Sequence, residues 1–312
     1  MYKFKRISSD YYSEIKELSR KAFGLNRTVD EIKRKYETDT FGKYTIGFLA
    51  QTEEGEPAAY YGAFPLKFSY NQKGFIVAQS GDTMTSPDHQ RKGLFTKLAE
   101  KTYEVCEAEN IEFVFGFPNE NSLPGFQRKL NWKFHGNIKT FTLNSLGVPF
   151  CELAEKFKVL KSLHQPYVKW RLRNKKLKLN NSSIETFSKQ TCKGYITRDL
   201  SYFEYKLKDP SNYLVKMNGF SLLVKVDVHL RIGAVGFFDS NQTPNFLKTV
   251  KKLGQILACK KAVFVMSENH WMHNRLKETV KSEDSLCIGF YQINTDFEYD
   301  QIEFIHADYD TF

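Results

Sequence analysis

The chain has 312 residues, of which 41% are hydrophobic and 26% charged, and this composition excludes a mainly disordered, collagen-like or coiled-coil protein. The length predicts about two domains of roughly 150 residues each. The formal net charge of +10 permits nucleic acid, an anionic membrane or a phosphorylated small molecule as a partner, without choosing among them.

Neither a membrane span nor a secretory signal is predicted. No apolar run approaches the roughly 18–20 residues that cross a bilayer, and the charged start, residues 1–6, is followed by no apolar stretch. The five cysteines are scattered and form no Cys-x-x-Cys pair, so the sequence predicts neither a disulfide framework nor a zinc site. We therefore expect a cytoplasmic protein that needs no metal.

The first half of the sequence predicts a strand, two helices, a meander of three strands, and then a helix, a strand, a helix and a strand. Asp10 is placed to cap the first helix, and Thr28 and Glu31 have the spacing of a capping box at the second. The predicted elements cover residues 1–7, 10–23, 28–36, 44–52, 58–70, 75–85, 93–109, 111–117, 124–130 and 134–143. This order predicts an α/β fold of the α+β layered kind, with a mixed central sheet flanked by helices.

Residues 146–180 are strongly basic. Nine lysine and arginine side chains fall between Lys156 and Lys178, and Pro166 interrupts the run. The favoured interpretation is the solvated face of a connector, which is what most such runs are. The alternative is a surface that binds nucleic acid.

The second half of the sequence repeats the element order of the first. The predicted strands cover 213–217, 220–226, 230–238, 262–266, 286–293 and 301–306, and the predicted helices cover 244–259 and 270–279. Thr243 is placed to cap the first of these helices. We interpret the repeat as a diverged internal duplication, with residues 1–145 as one domain, 146–180 as a basic connector and 181–312 as the second domain.

One turn between a predicted strand and a predicted helix has the chemistry of an anion site. The strand ends near Thr85 and the helix begins near Gly93. Backbone N–H groups of residues 90–93 can converge with the helix N-terminal donors on one phosphate, and Arg91 and Lys92 add positive charge. Gly93 has no Cβ, so a bulky anion can approach the backbone closely. A capped helix start with a basic turn explains the same residues equally well.

The stretch Gln90-Arg91-Lys92-Gly93-Leu94-Phe95 resembles the acetyl-CoA signature of the GNAT superfamily of N-acyltransferases, Gln/Arg-x-x-Gly-x-Gly/Ala, with Phe95 in place of the last small residue. The order of predicted elements around this stretch is also similar to that of the family, and the helix that ends in Lys129-Leu130-Asn131-Trp132 resembles the family's Lys-Leu-Gly-Phe ending. The resemblance covers about residues 1–145 and implies a GNAT-like fold, duplicated in tandem. The second half has no glycine or basic residue at the matching loop, which implies a degenerate GNAT-like domain without CoA binding.

The resemblance also implies how acetyl-CoA, or another acyl-CoA, is held as the acyl donor. Gln90 belongs to the motif, and backbone amides would hold the CoA pyrophosphate at Arg91, Lys92, Gly93, Leu94 and Phe95. The backbone at Met84 and Thr85 would pair with the pantetheine arm as an added strand does with a sheet edge. Asn119 or Asn121 would contact the pantetheine or the thioester. For both asparagines the alternative is a loop residue that caps the next helix, and for Asn121 the two interpretations are equally good.

The side chains that many family members use for catalysis are replaced at the matching positions. Gln127 stands where a tyrosine commonly protonates the leaving thiolate, and Gln79 stands near the position of a glutamate base. Asp82 is the nearest carboxylate, but on an unbroken strand it lies on the opposite face from Gln79, and only a bulge would change that. Asp82 is therefore a candidate base or substrate anchor, with a hydrogen-bonded structural aspartate as the alternative.

Two further groups are candidates for the chemistry. Tyr60 and Tyr61 lie on the preceding predicted strand, where tyrosines are more often core or rim residues than catalytic ones. Some multi-domain relatives bring a C-terminal carboxylate into the active site, which makes the carboxylate of Phe312 a candidate as well. The alternative for Phe312 is the solvated end of a closing strand.

The leading hypothesis is an N-acyltransferase that moves an acetyl or short acyl group from CoA to a primary amine of a small molecule by direct attack in a ternary complex. An amino sugar is the first candidate acceptor. The alternative is a basic module that binds nucleic acid or an anionic surface through residues 156–178 without catalysis. Nucleic acid is the less favoured partner, and the sequence does not predict an oligomeric state.

Overall fold

The computed structural model describes residues 1–189 and 191–312. Its elements up to residue 144 are β1 (Lys3–Arg6), α1 (Tyr12–Phe23), α2 (Val29–Tyr36), β2 (Ile46–Gln51), β3 (Pro57–Tyr70), β4 (Lys73–Thr85), α3 (Leu94–Ala108), β5 (Phe113–Gly116), α4 (Leu123–Lys129) and β6 (Lys133–Asn144). These match the predicted elements of the first half in order and kind.

The chain continues through two helices in the basic stretch and then through a second series of strands and helices. These elements are α5 (Phe150–Lys156), α6 (Lys158–Leu172), α7 (Asn181–Ile184), β7 (Gly194–Ile196), α8 (Leu200–Leu207), β8 (Asn212–Met217), β9 (Phe220–Val226), β10 (Leu230–Val235), α9 (Thr243–Ile256), β11 (Lys261–Ser267), α10 (His273–Lys277), β12 (Ser282–Gln292) and β13 (Ile302–Glu303). None of the helices in the described parts of the chain is long and apolar enough to cross a membrane.

The chain divides into two units, and neither is a continuous segment. Unit 1 consists of Met1–Gly136 and Leu286–Asp300, and unit 2 consists of Asn137–Ser285 and Gln301–Phe312. In unit 1, strands β1 to β4 pair antiparallel in sequence order, β4 pairs parallel with β5, and β5 pairs antiparallel with β12. Helix α3 makes the crossover between the two parallel strands.

Unit 2 has the same strand order. Strands β8, β9 and β10 pair antiparallel, β10 pairs parallel with β11 after the crossover helix α9, and β11 pairs antiparallel with β6. Each unit thus takes its last strand from the other half of the chain: β12 closes unit 1 and β6 closes unit 2. The mixed sheets with their flanking helices confirm the predicted fold class.

Helices cover both faces of the sheet in unit 1, and two neighbouring tyrosines of β3 show this. Successive strand residues point to opposite faces. Tyr60 packs with Tyr36 of α2 on one face, whereas Tyr61 packs with Tyr103 of α3 on the other. The α1–α2 face and the α3–α4 face therefore each have a separate apolar core.

The core of unit 2 contains a buried ion-pair network. The guanidinium of Arg198 lies 3.0 Å from carboxylate oxygens of both Glu303 and Asp308, and Tyr202 donates a hydrogen bond to Asp308. Phe312 is buried in this unit, with its ring against Gly233 and close to His306. The solvated chain end that was one interpretation of Phe312 is therefore wrong, because the ring is part of the core.

Helix starts were predicted with mixed success. The capping box of Thr28 and Glu31 is confirmed, since Glu31 N–H donates to Thr28 Oγ1 and Thr28 N–H donates to Glu31 Oε2. The prediction for Asp10 was wrong, because a short 3₁₀ turn, Ser9–Tyr11, precedes α1 and contains Asp10. Thr243 is the first residue of α9 rather than its cap, and its hydroxyl donates backward to Ser240.

Candidate active site

Strands β4 and β5 separate halfway along β4 and leave one edge of β4 open. Their parallel pairing is confined to Ala78 and Gln79, opposite Val114 and Phe115. The remainder of β4, through Thr85, keeps its antiparallel pairing with β3 on the other edge. The open edge can therefore accept hydrogen bonds from, or donate them to, an extended ligand.

The backbone at the end of β4 alternates between these two edges. Ser86 N–H donates to Ala58 of β3, so the N–H of Thr85 is directed toward the opposite, open edge. Met84 is opposite Tyr60 on the β3 side, and its side chain is buried among the residues of the α1–α2 face. Of the two predicted contact residues, Thr85 has the better-placed backbone amide.

The turn after β4 leads into α3 through two left-handed residues. Arg91 has φ +62° and Gly93, the residue before the helix, has φ +74°. Within the described chain, the backbone N–H groups of residues 91–95 donate to no protein acceptor. No acidic side chain lies in the first turn of α3 to compete for these donors. Free N–H groups at the positive end of a 15-residue helix make a site for phosphate.

Gly93 keeps the approach to these donors open. A Cβ built on Gly93 would meet nothing within 4 Å, so the glycine is not required by packing against the protein. Its left-handed conformation is one that other residues adopt at a cost of about 1–2 kcal/mol. Gln90, Arg91 and Lys92 are exposed beside it. The loop thus fits a bulky, strongly negative group such as a pyrophosphate.

Phe95, the residue that departs from the family signature, points away from this loop. Its ring packs against Phe126 of α4, at 5.2 Å between ring centroids, and against Tyr61 at 6.0 Å. Gly125 makes room for the ring, because a Cβ there would lie 2.9 Å from Phe95 Cε1. The large side chain is thus accommodated between α3 and α4, whereas Leu94 is buried in the core of the same face.

Asn119 has a structural use. Its Oδ1 accepts hydrogen bonds from the backbone N–H groups of Asn121 and Ser122, at 3.0 and 3.1 Å, in the turn that begins α4. Asn119 therefore orders the turn before α4, whereas the residue before the helix is Ser122. Asn121 itself is exposed, and contact between Asn121 and a CoA arm stays a prediction.

A bulge in β4 places Asp82 on the α1–α2 face. The register against β3 shifts between Gly81 and Met84, and Asp82 has φ +50°. Gln79 lies opposite Phe64, which also belongs to the α1–α2 core. The bulge therefore brings Asp82 to the same face as Gln79, which an unbroken strand would not do.

Asp82 is held by three side chains of the α1–α2 region. Its carboxylate lies 2.7 Å from Arg27 Nη1 and 2.7 Å from Lys35 Nζ, and it accepts a hydrogen bond from Tyr36 at 2.9 Å. Burial alone would raise the pKa of Asp82, but the charges of Lys35 and Arg27 outweigh it and hold that pKa well below its ordinary value. A carboxylate with so low a pKa is a weak base, which favours a structural role.

On the opposite face, a chain of hydroxyl groups runs from the point where β4 and β5 separate into the core. Ser80 Oγ lies 2.8 Å from Tyr61 OH, Tyr61 OH lies 2.7 Å from Tyr103 OH, and Trp132 Nε1 donates to Tyr103 OH at 2.9 Å. Ser80 is next to Gly116 of β5, where a Cβ would lie 3.5 Å from Ser80 Cβ. Ser80 Oγ donates to Tyr61 OH, and because a serine hydroxyl can rotate, the same group can also turn toward the open edge of β4.

Several of these residues could not be singled out from the sequence. Ser80 had no motif, and Arg27, Lys35 and Tyr36 lie about fifty residues away from the carboxylate that they surround. Gln127 is exposed on α4, and the loss of the family's tyrosine at this position stays a prediction. Phe312 lies within unit 2, and a role for its carboxylate in catalysis stays a prediction.

The chain is similar to known acetyltransferases. The family model of the GNAT acetyltransferase domain matches residues 3–135. No curated protein matches the sequence. Among solved structures, a GCN5-related N-acetyltransferase from Kribbella flavida is 11% identical, with 94% of this chain and 71% of that chain covered and a TM-score of 0.61. One from Anabaena variabilis is 10% identical, with 94% and 73% covered and a TM-score of 0.59.

A third solved structure comes from a larger fungal protein. It contains the GCN5-related glucosamine N-acetyltransferase region of a multi-domain GH3 β-N-acetylglucosaminidase, is 12% identical, and has 93% of this chain and 38% of that chain covered, with a TM-score of 0.57. At these identities the structures show a shared fold. The family match is confined to residues 3–135, and the structures share the fold of most of the chain.

Proposed function

We propose that the protein transfers an acetyl group from acetyl-CoA to a primary amine of a small molecule, by direct attack in a ternary complex. The open edge of β4, which leads to the free N–H groups before α3, carries this proposal. Acyl-CoA is the donor of the superfamily, and the two features fit the two parts of a CoA molecule, an extended arm and a pyrophosphate.

The donor would be held mainly by backbone groups. The amides of residues 91–95 bind the pyrophosphate, Arg91 and Lys92 add charge, and the open edge at Thr85 pairs with the pantetheine arm. In the described residues, no group of three or more His, Cys, Asp and Glu side chains is arranged to hold a metal ion. The thioester supplies an activated acyl group, so the protein's part is to orient the amine and to handle protons.

Ser80 is the group that we propose as the proton donor to the departing thiolate. It lies where β4 and β5 separate, and Tyr61, Tyr103 and Trp132 support it from behind. Burial raises the pKa of Tyr61, so the tyrosine stays protonated and holds the Ser80 hydroxyl in place. The proton that Ser80 passes to the sulfur is replaced by the one that the amine nitrogen loses as the C–N bond forms and the C–S bond breaks. The hydroxyl groups from Ser80 to Tyr103 would thus take the place of the family's tyrosine, since this protein has Gln127 at that position.

Replacing Ser80 with alanine should lower kcat by about 10²-fold, the size typical of a lost proton donor, with little change in KM for acetyl-CoA. Tyr61→Phe should show a smaller loss in kcat, because Ser80 can still donate directly. Steady-state kinetics with a saturating amine measures both. The matched control is Ser69→Ala. Ser69 lies on β3 opposite Gly74, far along the strand from Tyr61, and this variant should keep its activity. Unchanged kcat in Ser80→Ala would remove Ser80 from the mechanism.

An amino sugar is our first candidate for the acceptor. The structural neighbour that is a glucosamine N-acetyltransferase region supports this class of substrate. The test is CoA release from acetyl-CoA with glucosamine-type sugars, nucleotide-linked amino sugars, polyamines and no amine. We expect release with amino sugars above the amine-free rate. Release with polyamines alone would replace the acceptor class, and no binding of any acyl-CoA would overturn the proposed function.

A further inference from the structure

Helix α6 presents an apolar face to solvent. Val159, Leu163, Pro166 and Trp170 are spaced as i, i+4, i+7 and i+11, so they lie along one side of the helix. Val159 is 74% exposed, and Leu163 and Trp170 are each 54% exposed. These four residues are called the outer face below.

The outer face is not the side by which α6 packs into unit 2. His164, Val168 and Leu172 are buried, and their helical positions are opposite the outer face. The helix therefore has two apolar sides, one used for packing and one exposed. An exposed apolar patch of this kind marks an interaction surface more often than chance exposure.

Exposed apolar side chains are concentrated in this part of the molecule. Among the described residues, twelve large apolar side chains are exposed, and seven of them lie between residues 146 and 170. Outside the outer face these are Leu146, Val148, Leu153 and Phe157. Exposed apolar side chains thus continue along the chain from α6 back through α5 to the segment that leads into it.

The same segment carries most of the net positive charge of the chain, +7 of +10. Residues 146–178 contain nine basic and two acidic residues, whereas the whole chain has a net charge of +10. The two acidic side chains are close to lysines already, Glu155 at 3.6 Å from Lys161 and Glu152 at 3.8 Å from Lys260. The guanidinium groups of Arg171 and Arg173 lie 5.3 and 5.9 Å from the ring centre of Trp170. Two cationic groups therefore lie beside the Trp170 end of the outer face.

We propose that this surface docks on an anionic lipid membrane. A bilayer with negative headgroups takes up apolar side chains at the acyl boundary and attracts cations at the headgroup level, so both components of the surface are satisfied at once. A second copy of the chain would bring like charges together across a symmetric contact. Nucleic acid would pair with the cations but leave the outer face exposed. The proposal rests on unit 2 and does not depend on the proposed acyl transfer.

The test is cosedimentation of the full-length protein with vesicles of phosphatidylcholine alone or mixed with phosphatidylglycerol. We expect binding to the mixed vesicles, at least about 10-fold weaker binding to phosphatidylcholine, and a decrease with salt. The fluorescence of the protein should shift to the blue on binding, because Trp170 leaves water, and Trp170→Phe should remove most of that shift. Trp132 is buried already and does not contribute.

Two triple variants distinguish vesicle binding by the outer face from nonspecific binding by any exposed apolar side chain. Val159→Ser, Leu163→Ser and Trp170→Ser together should lower vesicle binding at least about 10-fold, while the melting temperature and its rise with acetyl-CoA are kept, since the three side chains are exposed. The matched control is Phe23→Ser, Leu25→Ser and Tyr44→Ser, which removes exposed apolar groups from unit 1 and should bind as the parent does.

Three results would overturn the proposal. The first is equal binding of the parent to both kinds of vesicle, or none to either. The second is full binding by the outer-face variant. The third is a partner of another kind. It would show as a stable dimer in sedimentation velocity that the outer-face variant abolishes, or as oligonucleotide binding that the variant keeps while the parent does not bind vesicles. The dimer would assign the surface to a second copy, and the oligonucleotide result to nucleic acid.

Discussion

Replacing Gly93 with valine should abolish the rise in melting temperature that acetyl-CoA causes. At a concentration about one hundred times Kd, a ligand that binds only the folded state stabilises it by about 2.7 kcal/mol. Gly93 precedes α3 in a left-handed conformation, and space around its Cβ position is open. A valine would fill the space from which the free N–H groups are approached and would disfavour the backbone conformation that aims them.

Gly24→Val is the matched control for this experiment. Gly24 follows α1 with φ +69°, and a Cβ there also meets nothing within 4 Å. Both variants therefore carry a similar backbone strain of about 1–2 kcal/mol or more, and both should melt at a lower temperature without ligand. Differential scanning fluorimetry with and without acetyl-CoA separates the two effects. A full acetyl-CoA response in Gly93→Val, or its loss in Gly24→Val, would contradict the assignment of the pyrophosphate site.

Replacing Asp82 with asparagine should destabilise unit 1 by about 3 kcal/mol, because Arg27 and Lys35 lose their shared counter-charge in a mostly buried site. The side chain of Asp82 is 13% exposed, so solvent compensates only part of the loss. Chemical denaturation at neutral pH measures the difference. Asp88→Asn, at an exposed position of the next turn, is the control and should leave the free energy of unfolding unchanged.

The pH dependence of the same difference tests its cause. The pKa of Asp82 is lowered in the folded protein, so its stabilising effect is complete above the unfolded-state pKa of about 3.9 and is lost as the pH falls below that value. The gap between the parent and Asp82→Asn should therefore shrink in acid. Adding Lys35→Met to Asp82→Asn should restore part of the stability, since one unpaired cation is removed.

Activity data on Asp82→Asn separate the two roles that the sequence left open. A structural aspartate predicts lower stability and, in the fraction that stays folded, a kcat within a few-fold of the parent. A catalytic base predicts a loss of kcat by orders of magnitude at unchanged stability. The second outcome would return Asp82 to the list of catalytic residues and would require that its ion pairs open during turnover.

Local patterns gave correct predictions of the fold class and of several local features of the chain. The capping box at Thr28, the helix after Gly93 and the meander of β2 to β4 follow from spacing of three, four or two residues, which one short window contains. The glycine before α3 was predicted for its missing Cβ and is found in the left-handed conformation. Asp10 failed because a 3₁₀ turn and a capped helix start look alike in sequence.

The remaining features depend on contacts between distant segments. The bulge at Asp82 is a matter of register, and its cations come from the loop before α2 and from α2 itself. The hydroxyl chain joins β4, β3, α3 and the residue before β6, so no window of the sequence contains it. Both β6 and β12 were predicted as strands. The sequence of a strand does not indicate which of two similar sheets it joins, so their exchange between the units was not predicted.

The exchange of closing strands decides when unit 1 can be completed during synthesis. Most of unit 1 leaves the ribosome early, but β5 has no antiparallel neighbour until β12 is made, about 170 residues later. A nascent chain that has reached only residue 145 thus has an open sheet edge at β5 and a β6 without its partner β11. Such long-range pairing slows folding, and until it forms, the unpaired edges of β5 and β6 are exposed to other chains. Cutting the gene between the two halves would therefore yield two incomplete sheets rather than two domains.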